Sequence, residues 1–180
     1  NSEILAKSKA YKSKAIIIGS YDLLKSQLKI LKIKQKIKRI NNFNDIDKSK
    51  KVFNVLNIPL KFKKPFLVNP NESSIYIKRC LKAGHDLCLQ KKIKGLINCP
   101  INKKNLFRDK TLGVTEFLAK KNKVYKSEVM MIYNKKLSVV PLTTHIKLKN
   151  VSKNIKKNLI INKIQTLNKY YYKYFKKNPR

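Results

Sequence analysis

An α/β fold is predicted, because short β-branched runs that stop at Gly or Pro alternate with stretches of helical spacing. The run KAIIIG (residues 14–19) has the form of a buried strand ending on Gly. Residues 21–31 place Leu23, Leu24, Leu28 and Leu31 at helical intervals. Residues 95–99 (GLINC) then read as a strand that Pro100 stops.

The remaining elements follow in order. Residues 1–10 read as a helix, with Ser2 as a potential N-cap and Glu3 in the first turn. Residues 32–51 are rich in Lys and Asn and give no clear period. Residues 51–68 hold short apolar pieces broken by Pro59 and Pro65, which predicts strands and loops. Residues 72–91 form a second helix, with Ile77, Leu81, Gly84 and Cys88 along one face. Gly84 costs that helix about 1 kcal/mol against Ala, so close packing is expected there. Residues 128–133 (EVMMIY) and 137–143 (LSVVPLT) predict two strands joined as a hairpin by Asn134, Lys135 and Lys136. Residues 150–175 predict one long helix carrying Val151, Ile155, Leu159, Leu167, Tyr171 and Phe175. Both ends are abrupt, so the chain reads as a fragment of a longer protein. No repeat is present.

Composition narrows the function. The 180 residues hold 44 Lys plus Arg against 9 Asp plus Glu, a formal net charge of +35. Such charge first points to nucleic acid. Only four of the basic residues are Arg, however: Arg39, Arg79, Arg108 and Arg180. Base and phosphate readout favours Arg for its bidentate fork. Lys, Asn and Ile share A/T-rich codons, so coding bias explains the excess, and the Lys are spread along the whole chain. A nucleic-acid-binding protein stays as the alternative from a different class. Cys80, Cys88 and Cys99 cannot all pair and show no CxxC spacing, which excludes a disulfide scaffold and a zinc ribbon and suits a reducing cytosol. No apolar stretch is long enough for a transmembrane helix.

Ligand sites in α/β folds gather at the carboxyl ends of strands. After GLINC come Pro100, Ile101, Asn102 and Lys103; after LSVVPL come Thr143, Thr144 and His145. Between them GVTEF (residues 113–117) is a Gly-led turn into a short helix. His145 has the chemistry of a divalent-metal ligand, against a plain reading as a satisfied, partly buried His. Lys103 has that of an anion contact or proton donor, against a solvated Lys. Thr115 and Thr144 are candidate phosphate contacts, or simply capping and strand-end threonines. His85 reads as structural or exposed. Cys80 and Cys88 read as buried thiols, and Cys99 has no adjoining base. GxGxxG and P-loop motifs are absent.

The ordered series CPINKKNL (residues 99–106), GVTEFLAK (113–120) and EVMMIYNKKLSVVPLTTHIKLKNV (128–151), then a long helix ending in NPR, resembles the 4-hydroxythreonine-4-phosphate dehydrogenases of pyridoxal phosphate synthesis. NSEILAKS and AIIIGSYDLL resemble the opening of that family. The resemblance implies a two-domain fold like that of isocitrate and isopropylmalate dehydrogenases, incomplete here. Residues 1–107 would be part of the first domain, and 108–180 the start of a second that carries metal, substrate and dimer contacts. It implies a cytoplasmic homodimer with its active site at the subunit interface and no nucleic-acid or membrane partner. The implied reaction oxidises 4-phosphooxy-L-threonine with NAD or NADP and a divalent metal (Zn, Mg or Co). Decarboxylation to 3-amino-2-oxopropyl phosphate follows.

By the resemblance, His145 matches the first of three metal histidines, and its companions would lie beyond Arg180. The fragment alone is therefore expected to be inactive. Lys103 matches the lysine after the family's API-type strand end. Thr115 matches the Thr of the substrate-binding GHTEF motif, whereas Val114 stands where the family has His. Val neither donates a hydrogen bond nor carries charge, which opens a paralogue acting on a related phosphorylated hydroxy acid.

Overall fold

The computed structural model describes residues 14–49, 51–102, 106, 113–124, 127–134, 136–144 and 146–179. The helix predicted over residues 1–10 lies outside them. The chain divides into two compact units, Asn1–Arg108 and Asp109–Arg180.

The first unit is built on a parallel sheet of β1 (Ile16–Gly19), β2 (Ile37–Ile40) and β3 (Phe53–Asn57), in the order β1-β3-β2. The central strand is the core. Phe53, Asn54 and Val55 are all at most 2% exposed. The one polar residue in that run is fully accounted for: Asn54 Oδ1 accepts the Asp47 N–H at 2.8 Å, and its Nδ2 donates to the Asp47 carbonyl at 2.9 Å. Buried amides are tolerated when paired in this way. β2 comes from the Lys- and Asn-rich stretch that shows no clear period. Its register is set by Ile37, packed against the core cluster, and by buried Ile40.

Helix α1 (Tyr21–Ile30) lays Leu24 and Leu28 against Val55, with Ile17, Tyr21, Ile33 and Ile37 around them. The second helix, α2 (Pro70–Leu89), begins with Asn69 capping the Asn71 N–H and Pro70 in the first turn, where the missing donor costs nothing. Its glycine has the tight surroundings the sequence predicts. A Cβ on Gly84 would stand 2.6 Å from Leu96 Cδ1 and 3.2 Å from Ile18 Cδ1.

Three predicted elements differ. Residues 95–99 form no strand. A strand needs a partner ladder, and here the Asn98 side chain reaches the Cys99 carbonyl instead, while Ile97 is 95% exposed. The hairpin shrinks to one antiparallel pair, Ile132 and Val139, which exchange bonds of 2.8 and 2.9 Å. In that register the next bonded pair would be Met130 with Pro141, and Pro141 has no N–H to give. The long terminal helix is interrupted. After α3 (Val114–Lys121), α4 (Val151–Asn154) stops at Ile155 and α5 (Lys157–Phe175) starts anew from extended Lys156. The Asn154 side chain donates to the Asn150 carbonyl at 2.7 Å, a local bond of the kind that competes with helix continuation.

Candidate functional site

At the carboxyl end of β1 the chain turns through Gly19 and Ser20 into α1. A helix start presents free N–H groups that attract anions. Here three of those donors are satisfied from within. Ser20 N–H donates to Tyr76 Oη at 2.7 Å, Tyr21 N–H to Asn57 Oδ1 at 3.0 Å, and Leu23 N–H to Ser20 Oγ at 3.2 Å. Gly19 is required by the same closure, since a Cβ there would lie 2.8 Å from Tyr76 Oη. The β1–α1 turn is therefore a sealed joint between strand and helix, not a phosphate cradle.

Burial, with the Cys80 thiol beside it, pushes the Tyr76 hydroxyl far above its ordinary titration range. Burial likewise pushes Cys80 up to about 11 against a hydrogen bond with Tyr76, so it stays a thiol at neutral pH and is no nucleophile. Both are half-buried rather than fully enclosed. Sequence reasoning missed Tyr76 and Asn57. The one available signal was Ser20, an N-cap residue with Asp22 following in the first turn.

The segment after α2 carries the predicted strand-end motif. Of residues 94–100, only Leu96 is not exposed, and its side chain fills the notch over Gly84. Farther on, the Asn102 carbonyl accepts the N–H of buried Leu106 at 3.2 Å, and Ser74 Oγ on α2 reaches the Leu106 carbonyl at 3.5 Å. Lys103 lies outside the described residues.

Helix α3 opens as the Gly-led turn predicts. Glu116 reaches back to accept the Gly113 N–H at 2.9 Å, and the Gly113 carbonyl takes the Phe117 N–H at 3.0 Å. The acidic side chain complements the positive helix start. Thr115 stands exposed in this first turn, and Val114 beside it is half-buried. Thr144 is exposed, and His145, the candidate metal ligand, lies outside the described residues. Among the described residues no group of three His, Cys, Asp or Glu side chains is placed to hold a metal. His85 is buried on α2, with Nδ1 3.3 Å from Asp86 Oδ1. The bond from Lys82, and then the one with His85, hold the Asp86 carboxyl below its ordinary range. Within the second unit, a cavity of about 560 Å³ lies between Glu128, Met131 and the aromatic end of α5.

The profile of the pyridoxal phosphate biosynthetic protein PdxA family matches residues 11–180. The 4-hydroxythreonine-4-phosphate dehydrogenase of Aquifex aeolicus is 33% identical over 187 residues, covering 98% of this chain and 55% of that protein. The protein of the same name from Sulfurihydrogenibium is 31% identical over 176 residues, covering 94% and 53%. The crystal structure of the Klebsiella pneumoniae 4-hydroxythreonine-4-phosphate dehydrogenase superposes with a TM-score of 0.81 at 21% identity, over 94% of this chain and 55% of that one. That likeness shows the mixed α/β fold with its parallel sheet. The chain spans about half the length of the curated relatives it matches. With the motif order, the parallel sheet and the profile in agreement from residue 11 to residue 180, the chain belongs to the PdxA family.

Proposed function

We propose that this chain is part of a 4-hydroxythreonine-4-phosphate dehydrogenase that oxidises and decarboxylates 4-phosphooxy-L-threonine to 3-amino-2-oxopropyl phosphate. The family match over residues 11–180 carries this reading. Its finer parts rest on the motif resemblance. They are the two-domain isocitrate-dehydrogenase-like architecture, a cytoplasmic homodimer with a shared active site, NAD or NADP as hydride acceptor and a divalent cation. The described residues gather no three-ligand set for such a cation. When bound, the nicotinamide cofactor takes up the hydride that leaves the substrate carbon.

The chain's own contributions are binding and orientation. Thr115 offers a hydroxyl from the exposed first turn of α3, whose start is already complemented by the Glu116 carboxylate. Lys103 supplies a positive charge for a phosphate or carboxylate, and His145 is assigned to the cation. Val114 removes one polar contact that a His would make. Losing a hydrogen bond to a charged group costs about 1.5–3 kcal/mol. This half-buried apolar residue favours a second reading, a paralogue for a related phosphorylated hydroxy acid.

The test is incubation of the full-length gene product with 4-phosphooxy-L-threonine, either nicotinamide cofactor and a divalent cation. Cofactor reduction with stoichiometric release of CO2 is expected. No reduction with either cofactor overturns the proposal. Substrate preference then separates the readings: the highest kcat/KM on 4-phosphooxy-L-threonine favours that enzyme, and a higher kcat/KM on another phosphorylated hydroxy acid favours the paralogue.

A further inference from the structure

We infer that the carboxyl end of α5 is a docking surface for single-stranded nucleic acid. This goes beyond the dehydrogenase reading and does not depend on it. The last acidic residue of the chain is Glu128; residues 129–180 hold 12 Lys and Arg180 but no Asp or Glu. Coding bias accounts for the number of lysines, not for this one-sided balance. A stretch without acidic partners attracts polyanions.

Charge alone fits any polyanion, and the tyrosine rings select among them. Tyr170 and Tyr174, one helical turn apart, stack with centroids 6.4 Å apart and planes 19° from parallel. They are 43% and 67% exposed. Lys169 Nζ lies 5.7 Å from the Tyr170 centroid, and Lys173 Nζ lies 5.9 and 5.7 Å from those of Tyr170 and Tyr174. Lys176 and Lys177 follow, both exposed. Open rings interleaved with ammonium groups suit a single strand: unpaired bases stack on the rings while phosphates meet the lysines. A duplex hides its base faces and offers only phosphate. Beside the rings lies the cavity of about 560 Å³, within the roughly 300–1,000 Å³ range of small-molecule sites and so roomy enough for a base. Ser127, Gln165 and Thr166 also line it, with amide and hydroxyl groups that bond base edges in either direction. Glu128 on that wall keeps its Oε2 buried.

The experiment titrates the full-length gene product into a fluorescein-labelled oligouridylate of about twelve nucleotides and follows anisotropy at several salt concentrations. A DNA duplex of the same length is the comparison. Its phosphates are denser, so pure charge attraction favours the duplex, whereas stacking favours the single strand. Tighter binding of the single strand is expected. Tyr174→Leu should weaken it by roughly five- to a hundredfold with the salt slope unchanged, and Tyr174→Phe, which keeps the ring, should bind as the parent does. Lys173→Gln should lower the salt slope by about 0.7, while Lys63→Gln, exposed in the first unit, should leave binding as it was. Because the Tyr174 ring is mostly exposed, parent-like melting temperatures are expected for its variants. Should Tyr174→Leu not fold, Tyr170→Leu and the Lys173→Gln and Lys63→Gln pair decide. Equal or tighter binding of the duplex overturns the inference. So does unchanged affinity in folded Tyr174→Leu, an equal effect of Lys63→Gln, or attachment to anionic phospholipid vesicles without binding of the oligonucleotide.

Discussion

The two units handle the same composition differently. In the first, β3 is flanked on both sides by strands, and the buried and half-buried polar groups of its joints are paired: Asn54 with the Asp47 peptide, Ser20 with Tyr76, Tyr21 with Asn57. In the second, the strand-like segments share one bonded pair, α5 has no buried residue, and Leu137 and Tyr174 are 72% and 67% exposed. The Glu128 Oε2 atom there is buried with no partner among the described residues, although Lys163 reaches the Glu128 carbonyl at 3.1 Å. Stability in a chain this basic comes from a small, fully paired centre, so local unfolding free energies should be unequal.

Truncating the centre should give the largest effect. Phe53→Ala is expected to cost about 3–5 kcal/mol in urea unfolding of the first unit, because the cavity refills poorly under two neighbouring strands. Leu137→Ala in the second unit should change stability by less than about 0.5 kcal/mol. Equal losses would remove the contrast.

The sealed joint comes next. Tyr76→Phe strips the acceptor from the buried Ser20 N–H and should cost about 1–3 kcal/mol. Gly19→Ala should cost a similar amount in the parent, and less when combined with Tyr76→Phe, since the clashing oxygen is then gone. The joint also predicts alkaline behaviour. Tyr76 and Cys80 both titrate higher in the folded state than unfolded, so the folded state holds protons that the unfolded chain releases first. Their contribution is full below the unfolded thiol range, about pH 8, and is lost as pH rises from there through the folded Cys80 value of about 11. Unfolding followed from pH 8 to 11 should show this loss, and Tyr76→Phe should flatten it.

One expected effect is a modest gain. Lys32, Lys91, Lys123 and Lys176 adopt left-handed backbone at φ 54–57°, each at the end of a helix, where Gly is usual. Left-handed backbone costs a residue with a Cβ roughly 1–2 kcal/mol, partly offset by the entropy Gly would lose. Lys91→Gly should therefore stabilise the protein by up to about 1 kcal/mol, read as a rise in urea midpoint. No gain would mean that the lysine's charge at the α2 carboxyl end offsets the strain.

These lysines also show why some of the fold was readable in the sequence and some was not. Periodicity marked α1 and α2, because each buries a regular stripe, and a β-branched run ending on Gly marked β1. The tight packing at Gly84 was readable because a helix-interior Gly needs a reason. β2 was hidden, since Lys38 and Arg39 interrupt its pattern and the strand exists only by pairing with β3. GLINC looks like a strand by composition but finds no ladder, and the break at Ile155 depends on an Asn side chain that no apolar period reveals. At the site, the Gly113 turn and its short helix were predictable from local chemistry. Tyr76 closing a turn 56 residues away was not.

The dehydrogenase reading meets its most direct test at His145. Full-length gene product carrying His145→Ala, assayed for cofactor reduction with 4-phosphooxy-L-threonine and a divalent cation, should lose turnover while keeping the melting temperature of the parent. Turnover equal to that of the parent would contradict the assignment of His145 to the cation and, with it, the chemistry proposed for this site.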